Sequence, residues 1–245
     1  MKRLATAPLA LALLALAACG SQDSNSSAPI GKVEGKAAPA GTTWAQQVVA
    51  TPEGGIRMGN PDAPIKIIEF ASNTCPHCAH FSEESKDVLE RDYVNTGQVS
   101  FEFRNFVMNP LDISMAMLAR CTGPEAFFPL THQFFTNQQA IIEKLQSAGE
   151  DAYKNAMSAA PDQRFQRMAE AAGLIEFAME RGVPESKARQ CLADPKTAES
   201  LAANVERDTA QYSITGTPSF IMNGSKLDNV STWPQLVEQL KNAGA

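Results

Sequence analysis

A long block, residues 109–212, is helical in pattern throughout and separates two short stretches that pattern as strands and helices. The flanks, 44–108 and 213–245, read as the two halves of one β/α fold split by this block. The two must therefore share one sheet, with an all-helical domain inserted between them, which makes the fold class α/β. In the first flank, Ala45 to Thr51 reads as a short strand, and Gly54-Gly55 and Asn60 to Pro64 read as turns. Ile65 to Phe70 is an apolar, β-branched run, the pattern of a buried strand. Residues 76–94 read as a helix with Phe81, Val88, Leu89 and Tyr93 on one face, and Val99 to Val107 as another strand. Strand, helix, strand in that order predicts a parallel pair.

Within the block, Pro124, Pro161, Pro184 and Pro195 stand where helices would begin. Its Met and aromatic residues read as core. In the second flank, Pro218 to Met222 is expected as a strand and Asn223-Gly224 as a hairpin turn. Lys226 to Asp228 would be its partner, and Ser231-Thr232-Trp233-Pro234 would open a last helix ending near Lys241.

The N-terminus has a different character. Residues 1–18 carry Lys2 and Arg3 and then an Ala/Leu-rich run from Leu9 to Ala18. This is the layout of an export signal, and it is shorter than the roughly 20 residues of a membrane span. Leu16-Ala17-Ala18-Cys19 resembles the lipobox of bacterial lipoproteins, in which the cysteine is lipidated. The alternative is ordinary cleavage that leaves Cys19 a stray thiol. Residues 19–43 then read as a flexible tether, with folding expected to begin near Trp44. Cleavage before Cys19 would take the formal charge from −6 to −8. An acidic chain is not drawn to nucleic acid or to an anionic membrane surface by charge. Attachment would have to come from the lipid, at the cell envelope or periplasm.

Five cysteines remain to be sorted: Cys19, Cys75, Cys78, Cys121 and Cys191. The count is odd, so at least one needs a fate other than an internal disulfide. Cys75-Pro76-His77-Cys78 follows a strand and opens a helix. Cys75 would lie at the helix N-terminus, where free N–H groups favour a thiolate, and His77 can add a donor or a positive charge. Cys78, one turn inward, should be buried and act as the resolving thiol. Glu69, on the preceding strand, could take the inner cysteine's proton if it were buried. The plainer alternative for Glu69 is a solvent-facing strand residue. Far along the chain, Thr215-Gly216-Thr217-Pro218 precedes a strand. A cis proline there would present the Thr217 main chain to an extended client; otherwise it is simply a turn.

Strand Glu69, Cys-Pro-His-Cys, the helical insertion, the Thr-Pro loop and Asn60 to Pro64 together resemble the DsbA-like branch of the thioredoxin superfamily. The resemblance covers nearly all of the chain after Trp44. It implies a thioredoxin fold with an inserted helical domain and exported thiol–disulfide chemistry, with the redox-active disulfide as the only cofactor. The implied partners are reduced or unfolded exported proteins and a DsbB-like membrane redox partner, with the protein acting as a monomer. Thr217 stands where many such oxidases carry Val. Thr there resembles reductases and isomerases, so the direction of transfer stays open. Some DsbA-like proteins carry a second disulfide in the helical domain, and Cys121 with Cys191 looks like that pair; the alternative is two separate buried thiols. A rival chemistry is metal carriage by Cys75, His77, Cys78 and His80. A structural zinc site usually draws on a second ligand cluster. His132 is the one histidine outside the motif, and side chains on a helix starting at Cys75 would not converge, so no metal is expected.

Overall fold

The computed structural model describes residues 31–245. The expected signal segment, Cys19 and the outer tether lie outside the described residues. The strands are β1 (Val48–Ala50), β2 (Ile56–Gly59), β3 (Ile65–Ala71), β4 (Val99–Asn105), β5 (Ser219–Met222) and β6 (Ser225–Lys226). They form one sheet in the order β1-β2-β4-β3-β5-β6. The central pair β3 and β4 is parallel, from Ile65 opposite Val99 to Ala71 opposite Asn105. Both flanks of the chain thus contribute to one sheet, because β5 pairs antiparallel with the free side of β3.

A parallel pair needs a crossover, and helix α1 (Pro76–Val88) supplies it, continued by a wider π-helical turn over Leu89–Val94. Side chains alternate along β3. Ile65, Ile67 and Ala71 join the main core with Phe81 of α1, while Phe70 joins a small second cluster with Ile214 and Ile221. Phe81 also meets Phe220 of β5 (4.8 Å between ring centroids). Trp233, at the start of the last helix α10 (Trp233–Asn242), lies beyond it at 6.1 Å.

The insertion consists of α2 (Pro110–Ala119), α3 (Pro124–Thr136), α4 (Gln138–Ala148), α5 (Glu150–Met157), α6 (Pro161–Ala171), α7 (Leu174–Met179), α8 (Glu185–Leu192) and α9 (Pro195–Tyr212). Pro124, Pro161 and Pro195 open their helices, where a missing N–H costs nothing. Pro184 instead sits one residue before α8, as its N-cap. The insertion packs on the sheet through aromatics, with Phe127 of α3 edge-on to Phe103 of β4 at 5.4 Å.

Four expectations need correction. Strand β2 has no counterpart in the sequence reading; four residues between turns are too few to show alternation. Trp44–Gln46 is a 3₁₀ turn, so β1 begins only at Val48. Asn223 and Gly224 both take positive φ (49° and 86°), the geometry of a tight two-residue hairpin. The returning strand therefore starts at once, at Ser225–Lys226 rather than Lys226 to Asp228. Lastly, the inner tether is docked. Val33 N–H donates to the Gly244 carbonyl (2.9 Å), and Gln98 Nε2 donates to the Val33 carbonyl (2.6 Å). A Cβ on Gly35 would fall 1.9 Å from the Thr96 carbonyl oxygen, so only glycine allows this approach. The expected tether of residues 19–43 is therefore docked against the domain at Val33.

Cys121, just past α2, and Cys191, in α8, are joined by a disulfide, with Cα atoms 5.7 Å apart and 70 positions between them. A cross-link closing a loop of that length stabilises by restricting the unfolded chain. Replacing both cysteines by serine should lower unfolding stability by about 2–4 kcal/mol, measured by denaturant titration, without slowing exchange at Cys75.

Candidate active site

The crossover helix starts at Pro76, leaving Cys75 as its N-cap in extended conformation (φ −87°, ψ 120°). Cys75 is 7% exposed and Cys78 fully buried, while Pro76 and His77 stand in solvent. Both cysteines are free thiols, so this is the reduced form of the pair. The hydrogen bond from the Cys78 thiol holds the Cys75 thiol down at about 5, helped by the main-chain N–H groups of Cys78 and His77 and opposed by burial. Cys78 shifts the other way. Burial pushes it well above the ordinary thiol range, and its hydrogen bond to Cys75 and the charge of Glu69 add to that.

Glu69 points to the same face of β3 as Ile65 and Ile67, into the core beneath α1. It is 3% exposed, and its Oε1 has no hydrogen-bond partner among the described residues. Burial, and then the charge of Cys75, pushes its carboxyl up to about 8. The solvent-facing alternative is thereby removed.

The Thr217–Pro218 peptide bond is cis. The Cys75 thiol donates to the Thr217 carbonyl at 3.2 Å, which joins residues 142 positions apart. The Thr217 hydroxyl faces the Met108 sulfur at 3.8 Å, and Met108 is 61% exposed beside the dithiol. Gly216 shapes the loop by accepting from the Ser219 hydroxyl (2.7 Å). Cys75, Cys78, Glu69, Thr217 and Pro218 thus meet at one end of the sheet. His77 contributes its main-chain N–H, and Cys121–Cys191 lies in the helical block. His80 is exposed and lies 3.6 Å from Glu84. Among the described residues, no three His, Cys, Asp or Glu side chains cluster as a metal site.

Three polar residues of the insertion were not expected here. Asp112 of α2 is fully buried and accepts from the Ser72 hydroxyl (2.6 Å), Asn73 N–H (2.8 Å) and Met108 N–H (3.0 Å). Burial pushes its carboxyl up to about 6 against the pull of those donors. Asn109 Nδ2 donates to the Thr74 hydroxyl at 2.8 Å. Gln138, the first residue of α4, donates from Nε2 to the Asn73 and Cys75 carbonyls at 2.8 and 3.0 Å. From sequence, Asp112 reads as an ordinary acid in a first helical turn, and nothing marks Gln138.

A dithiol at a helix start, above a buried carboxylate and against a cis-proline loop, defines a thioredoxin-fold redox protein. The thioredoxin family model matches residues 51–242, and the chain belongs to that family. A Rickettsia bellii protein provisionally named a protein-disulfide oxidoreductase is 29% identical over 174 residues. That match covers 71% of this chain, which spans only 59% of the relative's length. The crystal structure of a protein-disulfide isomerase from Novosphingobium aromaticivorans superposes with a TM-score of 0.71 at 33% identity. It covers 75% of this chain and 94% of that one. Wolbachia pipientis alpha-DsbA1 shares the fold, with a TM-score of 0.60 at 20% identity over 82% of this chain and 98% of its own.

The raised Glu69 carboxyl makes stability depend on pH. Its folded value, about 8, lies above the ordinary 4.5, so folding favours the protonated form. Stability from this group is present at low pH and is lost as pH rises from 4.5 through 8. Glu69→Gln, which cannot ionise, should gain on wild type across that window. The melting-temperature difference between the two should grow by several degrees from pH 5 to pH 8.5; a difference independent of pH would contradict the assignment.

Proposed function

We propose that the protein is an envelope thiol–disulfide oxidoreductase that donates a Cys75–Cys78 disulfide to exported client proteins. The observation that carries this reading is the split between the two thiols, one acidic at the helix N-cap against the Thr217 carbonyl and one raised and buried over Glu69. In the oxidised protein a client thiolate would attack Cys75 Sγ. The Cys75–Cys78 bond breaks, a client–Cys75 disulfide forms, and Cys78 leaves as the thiolate. Cys78 then takes a proton, for which protonated Glu69 is the nearest buried source. A second client thiolate attacks the client sulfur and expels Cys75. A thiol held near 5 is a good leaving group and stabilises the reduced pair. The client loses two electrons and the pair gains them. A DsbB-like membrane partner would take them away and restore the disulfide.

Pro76, Met108 and the Thr217-Pro218 loop give an unfolded client an apolar, main-chain-accessible landing beside Cys75. The domain would act as a monomer, held to the membrane through a lipid on Cys19. None of the described helices is long and apolar enough to cross a membrane. Thr217 and the isomerase named in the Novosphingobium structure favour a second reading, with the same chemistry run as an isomerase or reductase.

Refolding of a reduced, unfolded substrate tests the mechanism. Wild type should form disulfides, while Cys75→Ala should lose the activity more than a hundredfold. Cys78→Ala, which cannot form the Cys75–Cys78 disulfide that the client attacks, should lose it as well. Equal rates for all three would refute the scheme. Equilibration with glutathione separates the directions. A potential well above about −270 mV, the thioredoxin value, supports the oxidase, and one at or below it supports the reductase. Labelled fatty acid should enter the wild type and not Cys19→Ala, which should leave the membrane fraction.

A further inference from the structure

The turn that delivers Cys75 is held from outside the thioredoxin fold. Residues 72–75 join β3 to α1, and three residues of the insertion grip them: Asn109, Asp112 and Gln138. Asp112 and Asn109 bind the turn upstream of the cysteine. Gln138 alone reaches Cys75 itself. Its amide is buried, 7% exposed, and one nitrogen serves two carbonyls, those of Asn73 and Cys75. The Cys75 carbonyl also receives the Ala79 N–H at 3.1 Å, the first hydrogen bond of α1.

We propose that Gln138 is a positioning residue for Cys75, through which the helical insertion sets the redox poise of the dithiol. The inference rests on the reading of Cys75 as the exchanging thiol. Two effects act in the same direction. First, the Cys75 sulfur is stabilised by N–H groups of the first turn of α1, so its charge depends on how the N-cap residue is turned against that helix. Gln138 fixes the carbonyl end of that residue, and Ser72 fixes the amide end by accepting the Cys75 N–H at 3.1 Å. Without Gln138 the buried Asn73 carbonyl loses this donor, and the turn gains by shifting to find another. Second, the donating end of the amide dipole lies against Cys75 in a site with little water, where it favours a negative sulfur. Losing either effect disfavours the thiolate and therefore the reduced pair.

The test uses the full chain with Gln138→Met, which keeps the length and removes both donors. Thiolate absorbance against pH should show the Cys75 midpoint rising. The glutathione equilibrium should move three- to tenfold toward the disulfide form, about 15–30 mV. Gln139→Met is the control, since Gln139 is exposed and bonds only Glu143 (2.8 Å); both readouts should match wild type. A purely structural glutamine would lower the melting temperature of Gln138→Met and leave midpoint and equilibrium unchanged, and that result overturns the proposal. If Gln138→Met does not fold, the side-chain amide resonances of Gln138 in reduced wild type decide. They should titrate with the Cys75 midpoint, and a flat response overturns the proposal. A wild type with no acidic thiol and no exchange would refute the proposed function instead.

Discussion

The parallel pairing of Ile65–Ala71 with Val99–Asn105 is the constraint on which the rest depends. Parallel neighbours cannot be joined by a tight turn, so the chain must leave the end of β3 and return through a helix. The start of that helix falls outside the carboxyl end of the strand, where α/β sheets place their ligand sites. Cys75 is the residue at that junction. On the other side of β3 the antiparallel partner β5 enters with Ser219 opposite Phe70. That register brings the residue before it, Pro218, to the same end of the sheet. Two segments 142 positions apart meet because β3 is shared between them.

From that junction a difference of three residues along one helix separates two chemistries. Cys75 sits where amides point outward without partners, and its charge is solvated by them. Cys78 has turned inward and faces the hydrophobic layer and Glu69. The contrast comes from the Cys78 thiol and the helix amides favouring charge on Cys75, and from burial opposing it on Cys78. It also explains why a carboxylate is tolerated in the core at the cost of its own ionisation. A group that is neutral at rest and close to a thiol that must lose and regain a proton is suited to exchanging it.

Much of this was legible in the sequence, for identifiable reasons. Strands β3 and β4 are long enough to show burial, and prolines punctuate the insertion. The Cys-Pro-His-Cys motif announces its own position at a helix start. Glu69 could be singled out only by its spacing from Cys75; whether it faced solvent required the sheet. What escaped was short or non-local. β2 is four residues long. The hairpin register turned on two positive φ angles. Asp112 and Gln138 act on a turn 39 and 65 positions away, and polar residues in helices carry no mark of what they will reach. The 31–43 arm has the composition of a linker. It is ordered by glycine-permitted main-chain contacts that composition does not report.

That docked arm fixes an orientation. Val33 is tied to Gly244 and Gln98, and Gln98 immediately precedes β4. The arm therefore joins the domain at the end of the sheet where β4 begins. Cys75 lies beyond the opposite end, where β3 stops. Seven residues of strand separate the two ends, about 23 Å at 3.3 Å per residue. The docked arm therefore enters the domain at the pole opposite its dithiol, a strand's length from Cys75.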